Sequence, residues 1–134
     1  MRFRASIDGA ARGNPGPAGA GVFVEAEEGS PAEEHFEPLG KTTNNVAEYR
    51  ALLLALRRAK ERGASDVAIA SDSLLLVEQM KGRFKVKAAH LVPLVAEAVQ
   101  RAKAFPRFSI RHVRREKNIE ADRLANLGAD ANSP

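Results

Sequence analysis

The stretch Arg2-Phe3-Arg4-Ala5-Ser6-Ile7-Asp8-Gly9 decides how the chain is read. Phe3, Ala5 and Ile7 alternate with Arg4, Ser6 and Asp8, the period-two pattern of a strand with one apolar face. A second run, Val67-Ala68-Ile69-Ala70-Ser71-Asp72, is apolar at consecutive positions, as in a strand buried on both faces. Each run ends on an aspartate. Paired in parallel, the two strands bring Asp8 and Asp72 to the same edge of a sheet, where ligands gather in open α/β folds.

Outward from these runs, residues 9–21 are rich in Gly, Pro and Ala and read as a loop, with Gly13-Asn14-Pro15-Gly16 as its turn signal. Residues 21–27 and 33–39 read as two further strands, joined through 28–31 into an antiparallel meander with the first. Thr42 or Thr43 caps a helix over 44–62, which Gly63 ends. A short helix over 73–80, a longer one over 88–104, a strand over 108–113 and a closing helix from 118 to about 129 complete the order β-β-β-α-β-α-α-β-α. This predicts an α/β protein, a five-stranded mixed sheet flanked by helices, in a single domain over 1–134 whose last residues, 130–134, are frayed.

The 134 residues suffice for one hydrophobic core, and 44% apolar with 28% charged is an ordinary globular balance. Without cysteine there is no disulfide framework and no thiolate zinc site. No stretch approaches the ~20 apolar residues of a membrane span. Met1-Arg2-Phe3-Arg4 lacks the apolar run of a secretory signal, so a cytoplasmic protein with no membrane association is expected. No obligate protein partner is evident. A net charge of +4 and a pI near 9.8 suggest a polyanionic partner.

Against that basic background stand Asp8, Glu48, Asp72 and Asp122. Glu48 heads the helical stripe Ala51, Leu52, Ala55, Leu56 and so faces the sheet. Taken singly, Asp8 reads as a turn cap, and the others read as charges favoured near a helix N-terminus. Gathered, two carboxylates about 4 Å apart repel by roughly 4 kcal/mol at an effective dielectric of 20. A cluster of that kind persists only with shared protons or bound divalent cations, and the second option points toward metal-ion phosphoryl chemistry.

Four segments sharpen this: Ser6-Ile7-Asp8-Gly9 with Gly13-Asn14-Pro15-Gly16, then Thr42-Thr43-Asn44-Asn45-Val46-Ala47-Glu48, Ser71-Asp72-Ser73, and Asn118-Ile119-Glu120-Ala121-Asp122. In order and spacing the chain resembles a stand-alone type I ribonuclease H over almost its full length. The resemblance implies a ribonuclease H-like fold and an endonuclease that hydrolyses the RNA strand of RNA–DNA hybrids, leaving 5′-phosphomonoester ends. It implies two Mg²⁺ or Mn²⁺ ions, with Asp8 bridging both, Glu48 and Asp72 completing one shell, and Asp122 binding the other ion. Gly9, Asn14, Asn44 and Asn45 match the turn and asparagine pair that read the ribose 2′-hydroxyl, while Lys41 and Thr43 match a pocket that grips a DNA phosphate. A carboxamide both donates and accepts, and glycine lets the backbone approach a sugar. Individually, the asparagines also read as turn and cap residues.

Departures from the family pattern matter too. Many relatives carry a histidine on a mobile loop before the last aspartate. His112 precedes Asp122 by ten residues, but Ile110-Arg111-His112-Val113 reads as strand. In the short loop 114–117, Arg115 is expected to take the histidine's place, with its guanidinium toward the scissile phosphate. Lys81-Gly82-Arg83-Phe84-Lys85-Val86-Lys87 is the densest basic run, read either as a phosphate contact or as a solvated connection. The segment between Asp72 and the long helix is short and lacks tryptophan, so the basic protrusion of some relatives is expected to be missing, as is an extra N-terminal hybrid-binding domain. Weaker binding and activity on double-stranded RNA as a second substrate would follow. Two rivals are a catalytically silent nucleic-acid-binding module on the same fold and a nuclease domain cut from a retroelement polymerase. Four carboxylates argue against the first, since a polyanion binder gains nothing from them, and the start at Met1 argues against the second.

Overall fold

Strand β1 (Arg2–Ala11) is the central strand of the sheet. The structure, a computed structural model, describes residues 1–132. On one side β1 pairs antiparallel with β2 (Gly16–Val24), which pairs antiparallel with β3 (Glu33–Thr42). On the other side it pairs in parallel with β4 (Asp66–Ser71), which pairs in parallel with β5 (Arg107–His112). Among the described residues the sheet therefore has five strands in the order β3-β2-β1-β4-β5, the mixed sheet the sequence predicts. Helices α1 (Asn44–Glu61), α2 (Leu74–Met80), α3 (Val92–Lys103) and α4 (Ile119–Asp130) pack on it, with short 3₁₀ turns at Ala89–Leu91 and Arg115–Lys117.

The alternation in β1 is what it promised to be. Phe3, Ala5 and Ile7 are buried with Leu52, Leu56 and Tyr49 of α1 and with Val67 and Ile69 of β4 in one continuous core. Each fully buried Leu, Ile or Phe stabilises by about 1.5–3 kcal/mol relative to exposure, so this layer supplies the main cohesion of the fold.

The first hairpin is longer than residues 2–8 and 21–27 suggest. Beyond Asp8, β1 continues through Ala11, which pairs with Ala18, while the turn stays at 12–15. The small residues read as loop are strand residues for a packing reason. A Cβ on Gly9 would collide with the backbone of Ala47 and Glu48 in α1, and one on Gly19 or Gly21 would collide with the backbone of α4. Asp8 pairs with Gly21, so it shares the α4 face, while Gly9 lies on the α1 face. Helices α1 and α4 thus sandwich the end of β1.

β2 ends at Val24 and β3 runs on to Thr42, each three residues from the expected end, and most other boundaries shift by a residue or two. The helix expected over 88–104 opens as a 3₁₀ turn and becomes α-helical at Val92, with Pro93 in its first turn, where a missing N–H costs nothing. His112 ends β5 opposite Ser71, inside the sheet as expected. The expected fraying from residue 130 does not hold for its first part. Asp130 closes α4, and the Asn132 carboxamide donates to the Ala18 carbonyl at 2.9 Å and accepts from Gly40 N at 2.8 Å. Residues 133 and 134 lie outside the described residues. No helix among the described residues is long and apolar enough to cross a membrane.

Candidate active site

Strand β4 stops at Ser71 opposite Ile7, whereas β1 runs on to Ala11 alongside β2, so the sheet opens on one side of Asp8. Asp72 follows immediately after β4. Thr43 caps α1, its hydroxyl accepting from Val46 N at 3.3 Å, and this starts the helix so that Glu48 falls on its buried face. Gly9 lets α1 press against β1 there. One ligand oxygen from each of Asp8, Glu48 and Asp72 lies within 4.8 Å of the others, and Asp8 and Glu48 are each only 5% exposed.

Two carboxylates this buried and this close to a third cannot all stay charged in the bare protein. Burial raises the Asp8 carboxyl far above the usual carboxylate range, and the neighbouring charges of Asp72 and Asp122 add to it. Burial also raises Glu48, followed by the charge of Asp8. The local hydrogen bonding does not compensate. Gly9 N donates to Asp8 Oδ1 at 3.0 Å, but Glu48 Oε2 is buried with no partner among the described residues. An all-oxygen donor set with a buried orphan acceptor fits a hard divalent cation, which takes carboxylate ligands and retains water for the remaining positions. Asp122, in the first turn of α4, stands outside the tight triplet but close enough to act on Asp8.

These carboxylates line a cleft of about 390 Å³ whose wall also includes Gly9, Asn44, Arg115, Arg12, Ser73 and Asn126. Of the residues singled out from the sequence, the structure brings Asp8, Glu48, Asp72, Asp122, Arg115, Gly9 and Asn44 to this one cleft. Asn14, Lys41, Thr43 and Asn45 are not on its wall. Asn14 Oδ1 accepts from Asn44 N at 3.1 Å and so steadies the start of α1. Lys41 is exposed near the end of β3, and Thr43 is engaged as the helix cap. Asn45 turns to an adjacent groove of about 530 Å³, walled by Leu75, Phe84 and Leu91 and rimmed by Arg83, Lys85 and Lys87 from the basic run. His112 is beside the cleft rather than in it, its ring nitrogen donating to the backbone carbonyl of Asp72 at 3.3 Å.

Arg12, Asn126 and Ser73 went unassigned from the sequence. Arg12 was hidden in the apparent Gly-rich loop. Asn126 had a signal, its spacing of one helical turn from Asp122. Ser73 caps α2, its hydroxyl accepting from Leu76 N at 3.2 Å.

The chain compares closely with known proteins. The family model described as reverse transcriptase-like matches residues 6–128. The "Bifunctional protein Rv2228c" of Mycobacterium tuberculosis is 45% identical over 132 residues, covering 98% of this chain and 36% of that protein. The chain therefore spans about a third of the length of this curated relative. The crystal structure of RNase H1 from the halophilic archaeon Halobacterium salinarum NRC-1 superposes with a TM-score of 0.92 at 36% identity, covering 98% of this chain and 100% of that one. The structure of LC11-RNase H1 in complex with an RNA/DNA hybrid gives a TM-score of 0.87 at 40% identity, covering 96% of each. With a sheet order, a carboxylate cleft and relatives of this kind, the chain belongs to the reverse transcriptase-like family and, within it, to the type I ribonucleases H.

Proposed function

We propose that the protein is a metal-dependent endoribonuclease that hydrolyses the RNA strand of RNA–DNA hybrids, with double-stranded RNA as a second substrate. The observation that carries this reading is the triplet Asp8, Glu48 and Asp72, with ligand oxygens within 4.8 Å, two of the three carboxylates buried, in a cleft flanked by Arg12 and Arg115. A carboxylate cluster held against its own repulsion has a use when cations neutralise it. Asp8, Glu48, Asp72 and Asp122 would hold Mg²⁺ or Mn²⁺, which supply an activated water and charge neutralisation at the phosphoryl group.

The chain's own residues supply the rest. Arg115 faces the cleft with a guanidinium suited to a non-bridging phosphate oxygen, whose developing charge it stabilises. Asn44, on the cleft wall and steadied through its backbone by Asn14, presents a carboxamide that can both donate to and accept from a ribose 2′-hydroxyl. Gly9 keeps the floor beside Asp8 free of a side chain. Asn45 lies in the adjacent groove with the basic rim, and Lys41 with Thr43 lies at the junction of β3 and α1, where a DNA-strand phosphate would be gripped.

The test is cleavage of end-labelled RNA–DNA hybrid, double-stranded RNA and double-stranded DNA with Mg²⁺, Mn²⁺ or chelator, beside Asp8→Asn. The reading expects RNA-strand products with 5′-phosphate ends, lost with chelator and with Asp8→Asn. Cutting that survives either condition refutes the metal mechanism, and hybrid binding without any cutting identifies a silent binding module.

A further inference from the structure

Asn118 stands at the N-terminal cap position of α4, where asparagine is favoured because its side chain accepts from the first free N–H groups of the helix. Here it does not do so. The side chain is turned away from the helix, and Nδ2 donates instead to the backbone carbonyl of Ile7 in β1 at 2.9 Å. The residue is 2% exposed, and its Oδ1 is buried without a partner among the described residues. A buried orphan carbonyl and a forgone cap both cost stability, so packing and capping do not explain the residue.

Its neighbours do. Ile7 is the last β1 residue paired with β4 and directly precedes Asp8. Asp122 N donates to the Asn118 carbonyl at 3.1 Å, so the same residue begins the turn that presents Asp122. One turn further, Asn126 Nδ2 donates to the Asp122 carbonyl at 2.9 Å, and Asn126 Oδ1 accepts from Arg12 at 3.1 Å. Arg12 also pairs with Asp130 at 2.8 Å. Residues 118, 122, 126 and 130 recur every four positions and form one stripe of α4. This stripe is tied to β1 before Asp8 by Asn118, and to the hairpin after Asp8 by Arg12.

We propose that Asn118 is a positioning residue for the cation site, fixing the separation of Asp8 and Asp122 by holding the Ile7 carbonyl against the first turn of α4. The inference rests on the reading that these carboxylates hold divalent cations. Ligand-orienting partners of this kind typically change metal affinity or activity by about 10–100-fold when removed.

The test is calorimetric titration of Mn²⁺ into the substrate-free protein, comparing wild type, Asn118→Ala, Asn118→Asp and a core control, Val67→Ala, at the opposite end of the sheet. Asn118→Ala is expected to weaken Mn²⁺ binding about tenfold, and in hybrid cleavage to lower kcat while leaving KM unchanged. Asn118→Asp keeps the shape, loses the donor and adds a negative charge that by itself attracts a cation. Weakened binding in this variant as well isolates the lost tie to Ile7, and it decides the matter if Asn118→Ala does not fold. Val67→Ala is expected to lower the melting temperature with unchanged Mn²⁺ affinity. Wild-type affinity in Asn118→Ala, or tighter binding in Asn118→Asp, overturns the proposal while leaving the cation site standing. No Mn²⁺ binding by wild type refutes the underlying functional reading instead.

Discussion

Replacing Asp8 by asparagine abolishes the proposed chemistry and, for the same reason, is expected to make the bare protein more stable. The ligand oxygens of Asp8, Glu48 and Asp72 lie within 4.8 Å. At an effective dielectric of 20, one charged pair at that distance repels by roughly 3.5 kcal/mol. Taking up a proton relieves part of this, so the expected net gain from Asp8→Asn is about 2 kcal/mol at neutral pH, or about 5–10 °C in melting temperature for a chain of this size. The pH dependence follows from the sign of the shift. The Asp8 carboxyl is raised in the folded state above its ordinary value of 3.8. Its cost to stability is therefore absent below that value and grows as pH rises toward the folded pKa. The variant's advantage should vanish near pH 4 and widen toward neutrality. Divalent cations should narrow the gap. A site with a dissociation constant of about 1 mM gains roughly 1.4 kcal/mol at ~10 mM Mg²⁺, a gain the variant forfeits in large part. Thermal unfolding followed by circular dichroism, with and without Mg²⁺ from pH 4 to 8, measures all of this. A variant that melts below wild type in chelator at pH 7, or that Mg²⁺ stabilises as much as wild type, refutes the reasoning.

Three further outcomes are expected. Arg115→Ala should lower hybrid turnover at least tenfold and more than His112→Ala does, since only Arg115 lines the cleft; steady-state kinetics giving the larger loss to His112→Ala would overturn that assignment. Gly21→Ala, whose Cβ would meet the backbone of Ala121 and Ala125, should destabilise by about 1–3 kcal/mol or more in chemical denaturation, and a neutral result would mean that α4 is seated less closely than described. Glu33 is held down to about 2, chiefly by its hydrogen bonds from Arg58, and also by His35 and Arg62. Its contribution is present above its ordinary value of 4.5 and is lost as pH falls toward 2, so Glu33→Gln should melt below wild type at pH 7 and converge with it in acid.

Much of this was legible because the informative residues break a pattern. Asp8 closes an alternating strand, Asp72 ends an apolar run and Glu48 heads an apolar stripe, so the strand or helix that carries each is readable without their proximity. The parallel pairing of β1 with β4, only a hypothesis on the sequence, holds residue by residue in the fold. What stayed illegible depends on backbone-to-backbone contact. Gly19 and Gly21 look like loop residues because a sequence does not reveal that a helix lies flat on them. Asn118 reads as no more than the start of the closing helix, because only the folded chain brings the Ile7 carbonyl within its reach. Thr43 shows the opposite case, where the local capping role predicted from sequence is the role observed, and any phosphate contact must be compatible with it.

The glycine seat under α4 has an evolutionary consequence. Gly19 and Gly21 on the sheet and Gly128 on the helix leave room for backbone to meet backbone, so shape keys α4 in place alongside the ties from Asn118 and Arg12. The segment from Val113 to Lys117 that leads into it is then relieved of any duty to set the register of the helix. It can lengthen, shorten or change its chemistry without displacing Asp122. A lineage can exchange side chains in this loop or vary its length while the carboxylates stay where they are.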